Sequence, residues 1–280
     1  MTKLFRVWFK DLSLGPNVDH ACHALSIDDE RLTFQPELWE DDPRVEQVWF
    51  SGVHSNVGGG YPKQGLSMES LHWMMTHAQK RGLHFIQMAR EYVINARDAH
   101  GKLYDSREGM ALYYRWCPRN ISKLCKDRKI EKPKIHVSVF ERIAQGPDGY
   151  APGNIPFDCE IVSHTEWPGE NILDNAQSTF AKEGEKYKDK TSLLDDNKCM
   201  IKSGKLSYYG FLLLTVIILL FGVLNFLNPR LMALFAIIGA AIWLWAHKVD
   251  SKLDDEYSKF WFDHPKGEKS LRDMLQHLGL

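Results

Sequence analysis

The chain has 280 residues, with 35 Lys and Arg against 36 Asp and Glu and a formal net charge of −1. That length allows one or two domains, and the balanced charge creates no field to attract nucleic acid, so no nucleic-acid partner is expected. The five cysteines (Cys22, Cys117, Cys125, Cys159 and Cys199) form no Cys-x-x-Cys pair and are odd in number. This argues against a disulfide framework or structural zinc and for reduced thiols in a cytosolic setting.

The first residues have no long apolar core and no small-residue cleavage site, so no secretory signal peptide is expected. Residues 4–9 read as a strand, followed by Gly15-Pro16. Asn17 is placed to cap a short helix carrying Ala21, Ala24 and Leu25. Asp28-Asp29-Glu30-Arg31 reads as a solvated, self-paired surface turn. Residues 45–50 form a second predicted strand. It leads into Ser51-Gly52-Val53-His54-Ser55-Asn56-Val57-Gly58-Gly59-Gly60-Tyr61, a histidine followed by three glycines.

A helix is expected from Ser67, with Leu71, Met74, Met75 and Ala78 on its buried face and Gly82 as its left-handed stop. A second helix carries Ile86, Ala89, Val93 and Ala96. Residues 134–140 alternate and fit either a strand or the start of a helix. Residues 147–156 are a Gly- and Pro-rich loop, and 165–205 are polar and poor in periodicity, with a mixed-charge run at 182–190.

The composition then changes. Residues 209–227 carry no charge and would span roughly 28 Å as a helix, close to a bilayer core of about 30 Å. Asn228-Pro229-Arg230 breaks this run, and 231–246 is a second apolar run. The pair reads as a transmembrane hairpin. Tyr208, Tyr209, Trp243 and Trp245 mark its interfaces. Lys198, Lys202, Lys205, Lys248 and Lys252 at the outer ends place both chain ends in the cytoplasm of a bacterial inner membrane, with Arg230 in the opposite turn. A last amphipathic helix presents Leu271, Met274, Leu275 and Leu278 behind a Ser270/Asp273 capping box; it packs on the domain or lies on the membrane.

A histidine delivered by a strand into a glycine-rich loop is a candidate general base, which makes His54 the first site residue. The same glycines also suit a plain turn. The sequence contains no Gly-x-Ser-x-Gly elbow, no His-Glu-x-x-His and no phosphate or dinucleotide loop. His20, Cys22 and His23, beside Asp19, match no established metal spacing and read as ordinary polar side chains of the predicted helix. No metal and no cofactor is expected.

The runs from Asn17 to Arg31, Phe34-Gln35-Pro36, Leu38-Trp39 and Val45 to Tyr61 occur in an order that resembles the α/β-hydrolase domain of type VI secretion phospholipase effectors. Ile135 to Val139 and Tyr150 to Pro156 resemble that domain's later segments, so the resemblance covers about residues 1–160. It implies a Ser-Asp-His hydrolase of lipid esters, with His54 as the base and Asn56 where the family commonly has Asp. The family's serine elbow would lie upstream of residue 1. Its acid falls at Phe9 without gaps, and Asp11, two residues later, is the candidate substitute.

The expected fold class is therefore α/β: an incomplete α/β-hydrolase-like domain (1–160), a polar linker (161–207), a transmembrane helix hairpin (208–247) and a cytoplasmic helical tail (248–280). The expected partners are phospholipid or another lipid ester, the membrane, and a polypeptide supplying the serine-bearing half. The alternative is a non-catalytic, membrane-anchored remnant or accessory protein of the same family, or a truncated gene product. Unpaired parallel strands expose both faces and an edge, so residues 1–200 expressed alone are expected to be poorly stable.

Overall fold

The computed structural model describes residues 12–146, 148–163, 170–187, 190–224, 229–263 and 269–280. The strand expected at 4–9 and the candidate acid Asp11 lie outside the described residues.

Among the described residues four parallel strands form one sheet in the order of the chain: β1 (Ala21–Ser26), β2 (Val45–Phe50), β3 (Lys134–His136) and β4 (Glu160–Val162). Side chains alternate between its two faces. On one face Cys22, Ala24, Val48 and Phe50 meet Trp73 of α2 (Gly65–Lys80) and Val57 of α1 (His54–Gly58). On the other face Leu25, Trp49, Ile135 and Ile161 enter the main core. Both faces are covered, as a parallel sheet requires.

Residues 21–26, expected as a helix, are strand β1. Ala21, Ala24 and Leu25 mimic helical spacing, but the segment pairs with β2 along its whole length, from Ala21↔Val45 to Ser26↔Phe50. Strand pairing overrides a weak local preference. The α2 helix also turns a different face inward: Leu71 and Met74 are 41% and 38% exposed, while Leu66, Met68, His72 and Trp73 are buried. The helix is held on two sides, by the sheet through Trp73 and by α3 (Gln87–Ala96) through the Met68, Met75 and Val93 cluster. It stops as expected, with Gly82 at φ +89°.

Residues 134–140 are both of the structures they resembled. Strand β3 ends at His136, whose Nδ1 accepts the Ser138 N–H at 3.3 Å, and α5 (Val137–Gln145) starts at the next residue.

The main core continues well beyond the sheet. It takes Ile121 and Cys125 of α4 (Ile121–Lys126), Ala176 and Phe180 of α6 (Glu170–Gly184), and Leu193 of α7 (Leu193–Asp196). The stretch expected as a linker thus contains a helix with two fully buried residues. Its apolar positions Ile172, Leu173, Ala176 and Phe180 do fall on one face at helical spacing, though sparsely among polar residues.

Two long helices follow, α8 (Lys198–Leu224) and α9 (Pro229–Phe262), both long and apolar enough to cross a membrane. Their contacts run antiparallel: Ser203 with Trp245, Gly210 with Ile242, and Leu214 with Gly239. Leu213, Leu219, Leu220, Ile237, Trp243 and Leu244 are exposed. The far end of α9 returns to the main core, where Trp261 is buried and donates its indole N–H to the Pro152 carbonyl at 3.0 Å. Helix α10 (Leu271–His277) has the expected Ser270/Asp273 capping box. It packs on the domain, with Leu271 and Leu275 buried and Arg272 and Gln276 donating to the Ala144 carbonyl.

Candidate active site

Parallel pairing puts the C-terminal ends of β1 and β2 at the same edge, where open α/β sheets place their sites. The Ile27 N–H donates to the Phe50 carbonyl at 3.0 Å and the Asp28 N–H to the Gly52 carbonyl at 3.1 Å, so the two strand exits run side by side. Arg119 and Asn154 fix this edge from behind. Arg119 Nη1 donates to Ser26 Oγ at 2.6 Å, and Asn154 Nδ2 to the Ile27 carbonyl at 2.9 Å. Burial pulls the Arg119 guanidinium down to about 10.

Gly52 makes the turn out of β2. Its φ is +104°, and a Cβ there would run into the Asn56 side chain, so only glycine fits. Its N–H donates to Asp28 Oδ2 at 2.5 Å, and Tyr150 OH donates to both oxygens of the same carboxylate at 3.0 and 2.9 Å. Burial pushes the Asp28 carboxyl up, and these bonds only partly oppose it.

The turn presents His54 as the first residue of α1. Asn56, buried one turn on, accepts the Val53 and Tyr104 N–H groups on Oδ1 at 3.3 and 3.4 Å and donates Nδ2 to the Lys102 carbonyl at 3.1 Å. An aspartate could not make the last bond.

His54 faces an acid that the sequence placed on the surface. The Asp29 side chain is 0% exposed, and its Oδ2 lies 2.8 Å from His54 Nδ1. Arg31 grips the same carboxylate through Nε at 3.1 Å, Nη2 at 2.9 Å and its backbone N–H at 3.2 Å. Asp28-Asp29-Glu30-Arg31 is self-paired as expected, but around a buried carboxylate and not in solvent. Burial pushes Asp29 up, yet hydrogen bonds from Arg31 and His54 outweigh it and hold the carboxyl below its ordinary range.

The tautomer follows from the partners. An ionised Asp29 can only accept, so Nδ1 carries the hydrogen, and in the neutral imidazole the lone pair is on Nε2. Arg31 Nη2 also lies 2.8 Å from Nδ1. Two donors cannot bond to each other, so this contact reflects their shared acceptor, Asp29 Oδ2. Nε2 faces outward, 3.0 Å from Ser55 Oγ, and the His54 side chain is 44% exposed. Phe34 forms one wall, its ring centroid 4.7 Å from that of His54 and 3.8 Å from the Arg31 guanidinium carbon, and Tyr114 stands edge-on to Phe34 at 5.6 Å. The arrangement is a buried acid orienting a half-exposed imidazole whose free nitrogen can take a proton. Asp29 could have been found in the sequence as a carboxylate directly after an apolar strand, level with His54 at the end of the next.

The histidine and cysteine residues near 20 fall at the opposite end of β1. His20 and Cys22 lie with His77 of α2, while His23 faces the other way and contacts Gln47 at 3.4 Å. All five cysteines are free.

Residues 2–77 match the family model described as T6SS, Phospholipase effector Tle1-like, catalytic domain. The match contains β1, Asp29, β2, His54 and most of α2, and it ends before the segments at 135–139 and 150–156 that resemble the family's later parts. No curated protein and no solved structure matches the chain. Over residues 2–77 the chain is thus similar to the catalytic domain of Tle1-like phospholipase effectors of type VI secretion, a likeness that points to a phospholipase-related function.

Proposed function

We propose that this chain is the base-bearing, membrane-anchored part of a serine ester hydrolase acting on phospholipid or another lipid ester. The observation that carries this reading is the Asp29–His54 pair, with Oδ2 to Nδ1 at 2.8 Å at the strand edge within the matched segment. His54 Nε2 takes the proton of the attacking hydroxyl and returns it to the leaving group, while Asp29 holds the imidazole in the required tautomer. Asp29 takes the acid's role that the sequence offered to Asp11. The nucleophile comes from a Gly-x-Ser-x-Gly segment outside these 280 residues, since none occurs within them.

One contact favours a second reading. Ser55 Oγ already sits 3.0 Å from Nε2, completing a Ser-His-Asp chain within this polypeptide. Phospholipase assay of the solubilised chain, with and without the product encoded upstream, separates the two. Activity only with that product, lost in His54→Ala and kept in Ser55→Ala, is expected. Loss in Ser55→Ala with activity of the chain alone favours the second reading. Activity unaffected by His54→Ala would sink both.

The anchor is the α8–α9 hairpin, lying in the bacterial inner membrane with both ends cytoplasmic. Support comes from its exposed apolar side chains and from five lysines at the outer ends (198, 202, 205, 248 and 252) against Arg230 at the turn. Protection of the N-terminal domain from protease in inside-out vesicles would refute this orientation.

A further inference from the structure

We propose that His20, Cys22 and His77 form a site for a borderline divalent transition metal, Zn²⁺ by preference, which staples β1 to α2. Their ligand atoms all lie within 4.8 Å of one another, and all three residues are half-buried. The site is absent from the sequence pattern because 54 residues lie between Cys22 and His77.

The geometry has a simple origin. His20 and Cys22 are two apart at the start of β1, so they leave the same face of the sheet. That face is the one α2 covers: Cys22 and Ala24 pack with Trp73, and His77 follows Trp73 by one helical turn, the two rings 4.6 Å apart. His77 is thereby laid over His20, with parallel rings 6.1 Å between centroids.

Zinc bonds of about 2.0–2.1 Å to nitrogen and 2.3 Å to sulfur place tetrahedral ligand atoms about 3.3–3.6 Å apart. Cys22 Sγ and His20 Nε2 are already 3.3 Å apart. Rotation of half-buried side chains closes the rest. A thiolate with two imidazoles is a donor set suited to zinc and poorly suited to calcium or magnesium. On binding, the thiol proton leaves to solvent and the sulfur lone pair goes to the metal.

The remaining position is open to water or to Glu46, which pairs with Cys22 in the β1–β2 register and carries an ion pair to Lys134 at 3.1 Å. Arg81 Nη2 lies 3.2 Å from His20 Nδ1. It is an exposed side chain that turns away once Nδ1 carries the hydrogen. The bridged elements flank the active-site edge: β1 runs into Asp29, and α2 follows the helix that starts at His54.

The test uses the full chain in detergent micelles, with Co²⁺ and Zn²⁺ as probes. Wild type is expected to bind one Co²⁺ with a near-ultraviolet thiolate charge-transfer band, lost in Cys22→Ser. His77→Ala and His20→Asn are expected to weaken binding at least tenfold, with unchanged circular dichroism. In wild type, Zn²⁺ is expected to slow alkylation of Cys22 at least tenfold, read by mass spectrometry of its peptide; this arm needs no variant to fold. Equal alkylation with and without Zn²⁺, or metal content unchanged in the Cys22 and His77 variants, would overturn the proposal.

Discussion

Replacing Asp29 by asparagine changes one atom at the centre of the candidate site. Five contacts converge on the carboxylate: from Arg31 N, Nε and Nη2, and from His54 N and Nδ1. Hydrogen bonds to a charged acceptor contribute about 1.5–3 kcal/mol and neutral ones about 0.5–1.5 kcal/mol. The amide keeps one acceptor oxygen, loses the other, and leaves the buried Arg31 cation without its counterion. Breaking a buried pair this way costs about 3–5 kcal/mol. Because asparagine retains one oxygen, the lower end, about 3 kcal/mol, is expected in denaturant unfolding of the micelle-bound chain. The amide nitrogen can also face Nδ1 and force the hydrogen onto Nε2. That is the wrong tautomer for a base, and on the proposed function it is expected to lower kcat by about 10⁴-fold, the loss seen when the acid of a Ser-His-Asp triad is replaced in this way. Histidine ¹⁵N spectra read the tautomer directly, without any need for activity. Wild type should show hydrogen on His54 Nδ1, and Asp29→Asn should move it to Nε2, while Asp11→Ala should leave it in place. A wild-type Nε2–H tautomer, or an Asp29→Asn variant within about 0.5 kcal/mol of wild type, the usual scatter of inconsequential surface changes, would refute the reasoning. The sign with pH also follows. The Asp29 carboxyl is held low, so its stabilisation is complete above the unfolded value of about 3.9 and is lost as pH falls through the lower folded value.

Glu30 has the opposite sign. Burial pushes its carboxyl up to about 7, despite the Trp116 indole N–H bonded to it at 2.8 Å. Its contribution is complete below about 4.5 and is lost as pH rises to about 7, a change of at most about 3 kcal/mol; Glu30→Gln should flatten stability over that interval, and an unchanged slope would count against the assignment. Leu275→Ala in α10 removes a fully buried side chain of the main core and should cost about 2–5 kcal/mol in denaturant unfolding; a cost under about 1 kcal/mol would mean the helix is not docked. Asn56→Asp removes the amide donor, leaves the Lys102 carbonyl unbonded and should destabilise by about 1–3 kcal/mol, measured in the same way; a neutral result would show that the Lys102 bond does not set this position. Met110 is 82% exposed beside the half-exposed Leu112 and Tyr113. On the proposed function, Met110→Ser with Leu112→Ser should lower turnover of vesicle lipid several-fold and leave a soluble short-chain ester unaffected. Equal loss on both substrates would argue against a membrane-facing rim.

His54 was legible as a candidate because a strand, a small residue and three glycines surround it in sequence. Asp29 was not, because a run of four charges ordinarily means solvent, and only the pairing of β1 with β2 carries it into the interior. The same pairing hid β1, whose alanine and leucine spacing fits a helix equally well. Residues 134–140 resisted assignment because the boundary between β3 and α5 lies inside them. In α2 the helix was readable but its buried face was not. A single amphipathic stripe describes a helix with one neighbour, and α2 has the sheet on one side and α3 on another. The apolar runs of α8 and α9 needed no tertiary information at all, since length and composition define them.

The hairpin is tied into the domain at both of its ends. Trp261 at the end of α9, followed by Leu271 and Leu275 of α10, enters the same core as Leu25 and Trp49 of the sheet. Near the middle of α8, Tyr208 OH donates to the Tyr113 carbonyl at 2.7 Å, and the Phe211 ring lies 5.5 Å from that of Tyr113. The next residue, Tyr114, has the Arg31 guanidinium carbon 5.5 Å from its ring centre, and Arg31 holds Asp29. Only a few contacts therefore separate the middle of α8 from the carboxylate that orients His54. A flexible tether would leave the distance from hairpin to carboxylate unset. Here the Asp29–His54 pair and the apolar turn at 109–113 are carried at a fixed offset from the hairpin, an arrangement that on the proposed function would hold the site at a set distance from the membrane.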